Sequence, residues 1–289
     1  MLSSTLKIAG AATILTAALL TTAIEANAQS KSPRQFNTVR QKLAEGKQVI
    51  GGTVSSSDPD VYCAMAKSGF DFLWIEMQHS PLTYSEVARM IMACRDATAI
   101  PFIRVPDATE GDIQKATDVG ALGIIIPMVD DIQKVRNAVK FANYPPIGAR
   151  SQGGGQYRAL WGDDYREAAN SNIMIVAMIE SPKGVAIAEE IASTPGVDVV
   201  FAASTDLSSF SGWKQGDPKY EAMVTQIHDR VLKAGKVLAG PVAWRERHGY
   251  KFFQGPGETS LIRTGAEAVL GKKTEETKRG VAPTEGSEK

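Results

Sequence analysis

Cysteine and histidine are scarce in this chain of 289 residues, which holds two of the first and three of the second. The two cysteines have no C-x-x-C spacing, and this excludes a zinc site built on thiolates. Cys63 and Cys94 fall on different predicted helices. An oxidising compartment permits a bond between them if their Cβ atoms approach within about 4.5 Å, but the expectation is two buried free thiols acting as small hydrophobes. Charge of one sign is also missing, since 32 Lys and Arg balance 32 Asp and Glu. Without a basic stripe or an aromatic-interleaved basic patch, nucleic acid is not an expected partner, and a small molecule is. Long apolar runs are absent beyond the N-terminus. There Lys7, an apolar stretch over residues 8–24 and the small residues Ala26 and Ala28 read as a secretory signal cleaved after Ala28. The alternative, an uncleaved anchor, needs roughly 20 apolar residues, and this stretch is short and rich in Ala and Thr. The expected address is periplasmic or secreted, with no membrane contact after cleavage.

Short apolar runs then alternate with amphipathic segments, the pattern of repeated βα units around a parallel sheet. Eight strands are predicted, at 49–53, 71–76, 101–104, 122–127, 174–180, 198–203, 236–240 and 251–255. Helices are predicted at 85–94, 112–121, 130–141 and 221–234 from apolar residues three and four apart. Eight units in about 240 residues predict an α/β fold of the (β/α)8 TIM-barrel type over residues 29–270, with a doubly wound open sheet as the alternative. The connection over 143–171 is unusually long and carries Gly153-Gly154-Gly155. It is expected to be a flexible lid at the active-site mouth. Residues 271–289 lack apolar periodicity and read as a disordered tail.

Two acids close apolar runs: Glu180 ends Ile173-Met-Ile-Val-Ala-Met-Ile-Glu, and Asp206 follows Val197-Asp-Val-Val-Phe-Ala-Ala-Ser-Thr. A carboxylate at the mouth of a buried strand is costly unless a cation or donors meet it, so the pair suggests a divalent metal site. His79 and Arg104 end two other strands. A charged guanidinium there suits a developing anion, and an imidazole just past a strand end suits proton transfer. The structural alternatives are a salt bridge for Arg104 and a solvated ring for His79. His228 and His248 read as surface residues, with His248 the better placed for a minor role near the mouth. Lys183 is the only lysine close to a strand end on the predicted active face, so Schiff-base chemistry is disfavoured.

Taken together, Gln78-His-Ser-Pro, Ile103-Arg-Val-Pro, Asp118-Val-Gly, Pro127-Met-Val, Tyr144-Pro-Pro-Ile-Gly-Ala-Arg, Ile179-Glu-Ser and Thr205-Asp-Leu-Ser resemble the HpcH/HpaI aldolase family. The motifs run in family order across residues 53–270. The resemblance implies a class II pyruvate aldolase, a carbon–carbon lyase acting on a 4-hydroxy-2-oxo acid through a metal-stabilised enolate to give pyruvate and an aldehyde. It implies Mg²⁺ or Mn²⁺, with Co²⁺ also admitted, held by Glu180 and Asp206. It further implies Arg104 on the enolate oxygen, His79 as general acid/base and Glu76 orienting its imidazole. Ser204 and Thr205 would offer backbone N–H groups to a substrate carboxylate, Asp118 would support the site, and the protein would be a homo-oligomer. The chain departs from the family where Glu76 replaces Asp, Gln78 an acid, Met178 Gln, and Ala203-Ser204 Gly-Pro. These departures keep two alternatives open: another lyase or decarboxylase on the same barrel, and an exported keto-acid-binding protein without turnover.

Overall fold

The computed structural model describes residues 33–271, so the expected signal at 1–28 and nearly all of the tail lie outside the described residues. In the compact unit that begins at Gln35, eight parallel strands close into a barrel in sequence order. They are β1 (Val49–Val54), β2 (Phe72–Glu76), β3 (Ile100–Arg104), β4 (Gly123–Ile126), β5 (Met174–Ile179), β6 (Val199–Ala202), β7 (Val237–Pro241) and β8 (Tyr250–Gly257). All eight predicted strands are present, and closure of β1 on β8 excludes the open sheet. Among the described residues no helix is long and apolar enough to cross a membrane.

Helix α1 (Thr38–Ala44) precedes the barrel, and α2 (Pro59–Ala66), α3 (Tyr84–Ala93), α4 (Glu110–Asp118) and α5 (Ile132–Ala142) follow the first four strands. Caps written in the sequence start them: Asn37, Asp58, Thr83, Thr109 and Asp131 each accept first-turn N–H groups. Helices α6 (Tyr157–Trp161), α7 (Tyr165–Asn172), α8 (Pro182–Ala186), α9 (Ala188–Ser193), α10 (Ser204–Ser211), α11 (Pro218–Lys233) and α12 (Glu258–Leu270) complete the outer layer. Between β7 and β8 only a 3₁₀ turn, Val242–Trp244, takes the place of a helix.

Alternation along each strand stacks the barrel interior in layers. Phe72, Phe102 and Phe252 form the lowest, with ring centroids 4.3–5.7 Å apart. Gly51 and Gly123 make room for it: a Cβ at Gly51 would lie 2.1 Å from the Phe72 ring, and one at Gly123 1.8 Å from Phe102. Two residues further along, Trp74 meets Phe201 edge-on at 5.2 Å. Another two residues bring Glu76 and Arg104 to the C-terminal mouth, paired in register.

Three expectations about the surroundings are corrected. Cys63 on α2 and Cys94, the C-cap of α3, form a disulfide with Cα atoms 5.4 Å apart, because adjacent packing of these helices brings the thiols together. The 143–171 connection is partly helical, as α6 and α7. It joins α5 to β5, so it lies at the N-terminal end of the barrel, away from the mouth, and is no lid over its own site. His248 also belongs to that far end, just before β8 begins, with its ring 6.1 Å from that of His228.

Candidate active site

Acids at the two ends of the barrel are treated differently. At the N-terminal end Asp71 pairs with Lys42 at 2.5 Å and Asp198 with Arg40 at 2.8 Å, both cations standing on α1. Each acid also accepts a strand N–H, from Ile50 and Ile175. These are structural plugs. At the C-terminal mouth, no ion pair joins Glu180, Asp206 or Glu258 to a cation among the described residues.

Glu180 follows β5 directly and is 1% exposed. Burial first, and then the charge of Asp206, push its carboxyl up to about 7, against the opposing pull of the Met128 N–H and Arg104. The Met128 N–H donates to Glu180 Oε1 at 3.1 Å. Met128 has a φ of +51°, an unusual conformation for a side-chain-bearing residue, and it stands beside the carboxylate whose orientation it fixes. Asp206 lies in the first turn of α10, close enough to share a hydrogen bond with Glu180. Two carboxylates this close must be relieved by a proton or a cation. Their oxygens are hard donors that fit Mg²⁺ or Mn²⁺ and leave coordination positions for water and substrate. No cluster of three or more His, Cys, Asp or Glu gathers among the described residues.

Arg104 donates from Nε to Glu76 Oε2 at 2.5 Å and its Nη2 pairs with the same oxygen. Its guanidinium lies over the Trp74 ring at 5.7 Å, and Trp74 Nε1 donates to that carboxylate as well. Glu76 Oε1 accepts the backbone N–H groups of Gln78 at 2.8 Å and His79 at 3.0 Å. The carboxylate expected to orient the imidazole therefore holds the backbone of the His79 loop and the arginine. Both oxygens of Glu76 are occupied, and the His79 side chain stands exposed at the mouth. Gln78 Oε1 is buried without a protein partner.

Ser204 and Thr205 open α10 after Ala203, which supplies no side-chain cap, so side chains do not claim the first-turn N–H groups. Met178 is buried in β5 two residues before Glu180. Asp118 stands apart from this group, as the helix-end carboxylate its place in the predicted helix allowed. It ends α4 at the N-terminal end of the barrel, where it pairs with Arg150 at 2.8 Å and accepts from Gln114 at 3.0 Å. It therefore does not join Glu180 and Arg104 in its own chain.

Sequence reasoning missed three residues at this end of the barrel. Trp74 shares the inward parity of Glu76, a signal that was present. The Met128 N–H carries no side-chain signature. Glu258 follows β8 as Glu180 follows β5, but Gly255-Pro256-Gly257 interrupts the apolar run that would have marked it.

Residues 52–243 match the model of the HpcH/HpaI aldolase/citrate lyase family. A hydroxypyruvate/pyruvate aldolase from Chromohalobacter salexigens is 34% identical over 220 residues, covering 72% of this chain and 86% of that protein. A 2-keto-3-deoxy-L-rhamnonate aldolase from Salmonella gallinarum is 31% identical over 205 residues, covering 69% of this chain and 77% of the relative. Among solved structures, a HpcH/HpaI aldolase/citrate lyase family protein from Burkholderia cenocepacia superposes with a TM-score of 0.74 at 26% identity, covering 81% of this chain and 98% of that one. The closed barrel, the acids at its mouth and these likenesses agree: the chain belongs to the HpcH/HpaI aldolase/citrate lyase family, as an enzyme of the lyase class.

Proposed function

We propose that the protein is a metal-dependent aldolase that cleaves a 4-hydroxy-2-oxo acid reversibly to pyruvate and an aldehyde. The observation that carries this reading is the uncompensated Glu180–Asp206 pair, facing a mouth that also holds Arg104 and His79. A bound Mg²⁺ or Mn²⁺ supplies positive charge to the oxygens of the 2-oxo acid and so favours enolate formation. Glu180 and Asp206 would hold it. Arg104, locked by Glu76 and Trp74, donates to the C2 oxygen as negative charge develops there. First-turn N–H groups at Ser204 and Thr205 receive the substrate carboxylate. In cleavage His79 takes the C4 hydroxyl proton, the C3–C4 bond breaks, its electron pair passes into the enolate, and the aldehyde leaves. Protonation at C3 then gives pyruvate, and condensation reverses each step.

The test is pyruvate release from a panel of 4-hydroxy-2-oxo acids with Mg²⁺ or Mn²⁺, repeated in EDTA. Metal-dependent pyruvate is expected, with Glu180→Ala and Asp206→Ala inactive. Equal turnover in EDTA would remove the metal from the mechanism.

The site of action is outside the cytoplasm, after cleavage of the signal at residues 1–28. The Cys63–Cys94 bond supports this, since such bonds persist in oxidising compartments. The working form is a homo-oligomer. Supporting this, α12 buries only Glu258 and leaves Ile262 65%, Val269 87% and Leu270 60% exposed. A helix with its apolar residues in water is normally covered by a partner. Self-association is also what gives Asp118 a route to a catalytic mouth other than its own.

A further inference from the structure

Met128, at a φ of +51°, is the one residue other than glycine with positive φ among the described residues. A side chain is costly in that region, and the conformation persists only where surrounding contacts hold it. Those contacts run between the turn after β4 and the segment around Glu180, and three consecutive residues make them. The Met128 N–H donates to Glu180 Oε1 at 3.1 Å, and the Val129 N–H donates to the Met178 carbonyl at 3.1 Å. Asp130 Oδ1 accepts the hydroxyl proton of Ser181. Within the turn itself, the Asp130 N–H closes back on the Met128 carbonyl at 3.1 Å. Glu180 therefore sits between two points of its own chain, Met178 and Ser181, that are both tied to the turn whose N–H it accepts.

The Asp130–Ser181 contact is the only one of these ties made by two side chains. Ser181 is buried and caps α8, where its Oγ accepts the Gly184 N–H at 3.2 Å. A serine hydroxyl has one proton, so the bond to Asp130 takes its whole donor capacity. The charge on the acceptor strengthens that bond over a neutral pair. Gly184 allows the close approach: a Cβ there would lie 2.8 Å from the Val129 carbonyl oxygen and 3.5 Å from Asp130 Oδ1. Without the side-chain tie, the turn is free to relax toward negative φ, and the Met128 N–H swings away from Glu180. A ligating carboxylate held by such outer hydrogen bonds binds its ion more tightly than one left free to rotate.

We propose that Asp130 and Ser181 are positioning residues, acting through the Met128 turn to aim the Glu180 carboxylate at a divalent cation. The inference rests on the metal site of the aldolase reading. Its test is calorimetric titration of the metal-free protein with Mn²⁺, alongside pyruvate release at saturating Mn²⁺ and a thermal melt of each variant. Ser181→Ala and Asp130→Ala should each weaken the Kd by about tenfold or more, with the Kd changing more than kcat. The double variant should lose little more than either single one, because both break the same hydrogen bond. Asp130→Asn keeps an acceptor for the hydroxyl and should recover most of the affinity. An unchanged Kd in the folded alanine variants would overturn the inference. So would a loss in Asp130→Asn equal to that in Asp130→Ala, which marks charge rather than the hydrogen bond, or a fall in kcat and Tm with the Kd intact, which marks a structural role. If Ser181→Ala does not fold, the two Asp130 variants decide the matter. Native protein that takes up no Mn²⁺ overturns the metal site together with this clamp, whereas native binding with unaltered variants overturns the clamp alone.

Discussion

Glu180 holds its carboxyl near a pKa of about 7 because burial and the neighbouring Asp206 both disfavour its charge. The folded value is raised above the ordinary carboxylate value of 4.5. Its contribution to stability is therefore fully present below about 4.5 and is lost as pH rises to about 7. Metal-free protein should accordingly lose some thermal stability across that window, and added Mg²⁺ should restore it at pH 8. The same proton competes with the metal, so the Kd for Mg²⁺ or Mn²⁺ should weaken as pH falls below about 7. Calorimetric titration at pH 6 and pH 8 checks both the affinity and the proton release. At Arg104 a lysine cannot reproduce the planar fork that meets Glu76 and lies over Trp74. Arg104→Lys should lower kcat by on the order of 100-fold with metal affinity little changed, measured by pyruvate release and metal titration.

Among the elements, the pair α2 and α3 carries the bond between Cys63 and Cys94, 31 residues apart. The loop it closes contains β2 and the Glu76–His79 turn. Closing a loop of that length restricts the unfolded chain, and Cys63→Ser or reduction should lower unfolding stability by about 2–4 kcal/mol in denaturant titration. An unchanged midpoint after reduction would show that the bond carries no stability. At β4, Gly123→Ala would drive a methyl into the Phe102 ring at 1.8 Å inside a sealed layer. Destabilisation of about 1–3 kcal/mol is expected, read as a fall in Tm. Element boundaries were legible to within a residue or two for all eight strands, because buried parallel strands are written as short, nearly continuous apolar runs. Elements without that local signature were not legible. The helices α6 and α7 are short and follow a Gly-rich stretch, and the crossover from β7 to β8 shrinks to a 3₁₀ turn.

For the whole molecule, α12 is the element whose exposure a single chain does not account for. Light scattering should report a species larger than a monomer. Ile262→Asp together with Val269→Asp should shift it toward monomer while the far-ultraviolet circular dichroism of the barrel is retained. An unchanged mass in that variant would place the interface elsewhere.

The sequence by itself determined eight parallel strands and put Glu180, Arg104 and His79 at strand ends with Asp206 just beyond another, because apolar runs and strand-end position are local properties of the chain; closure of β1 on β8 made the sheet a barrel. Tertiary structure alone decided which groups touch. It turned Glu76 onto Arg104 rather than the imidazole, bonded Cys63 to Cys94, and set Ser55 against Glu258 across 203 residues. It also assigned Asp118, His248 and the long 143–156 loop to the end opposite the chemistry. The physical reason is the same throughout: apolar periodicity encodes which face of an element is buried, while a contact between side chains depends on how separate elements pack, which no local spacing carries.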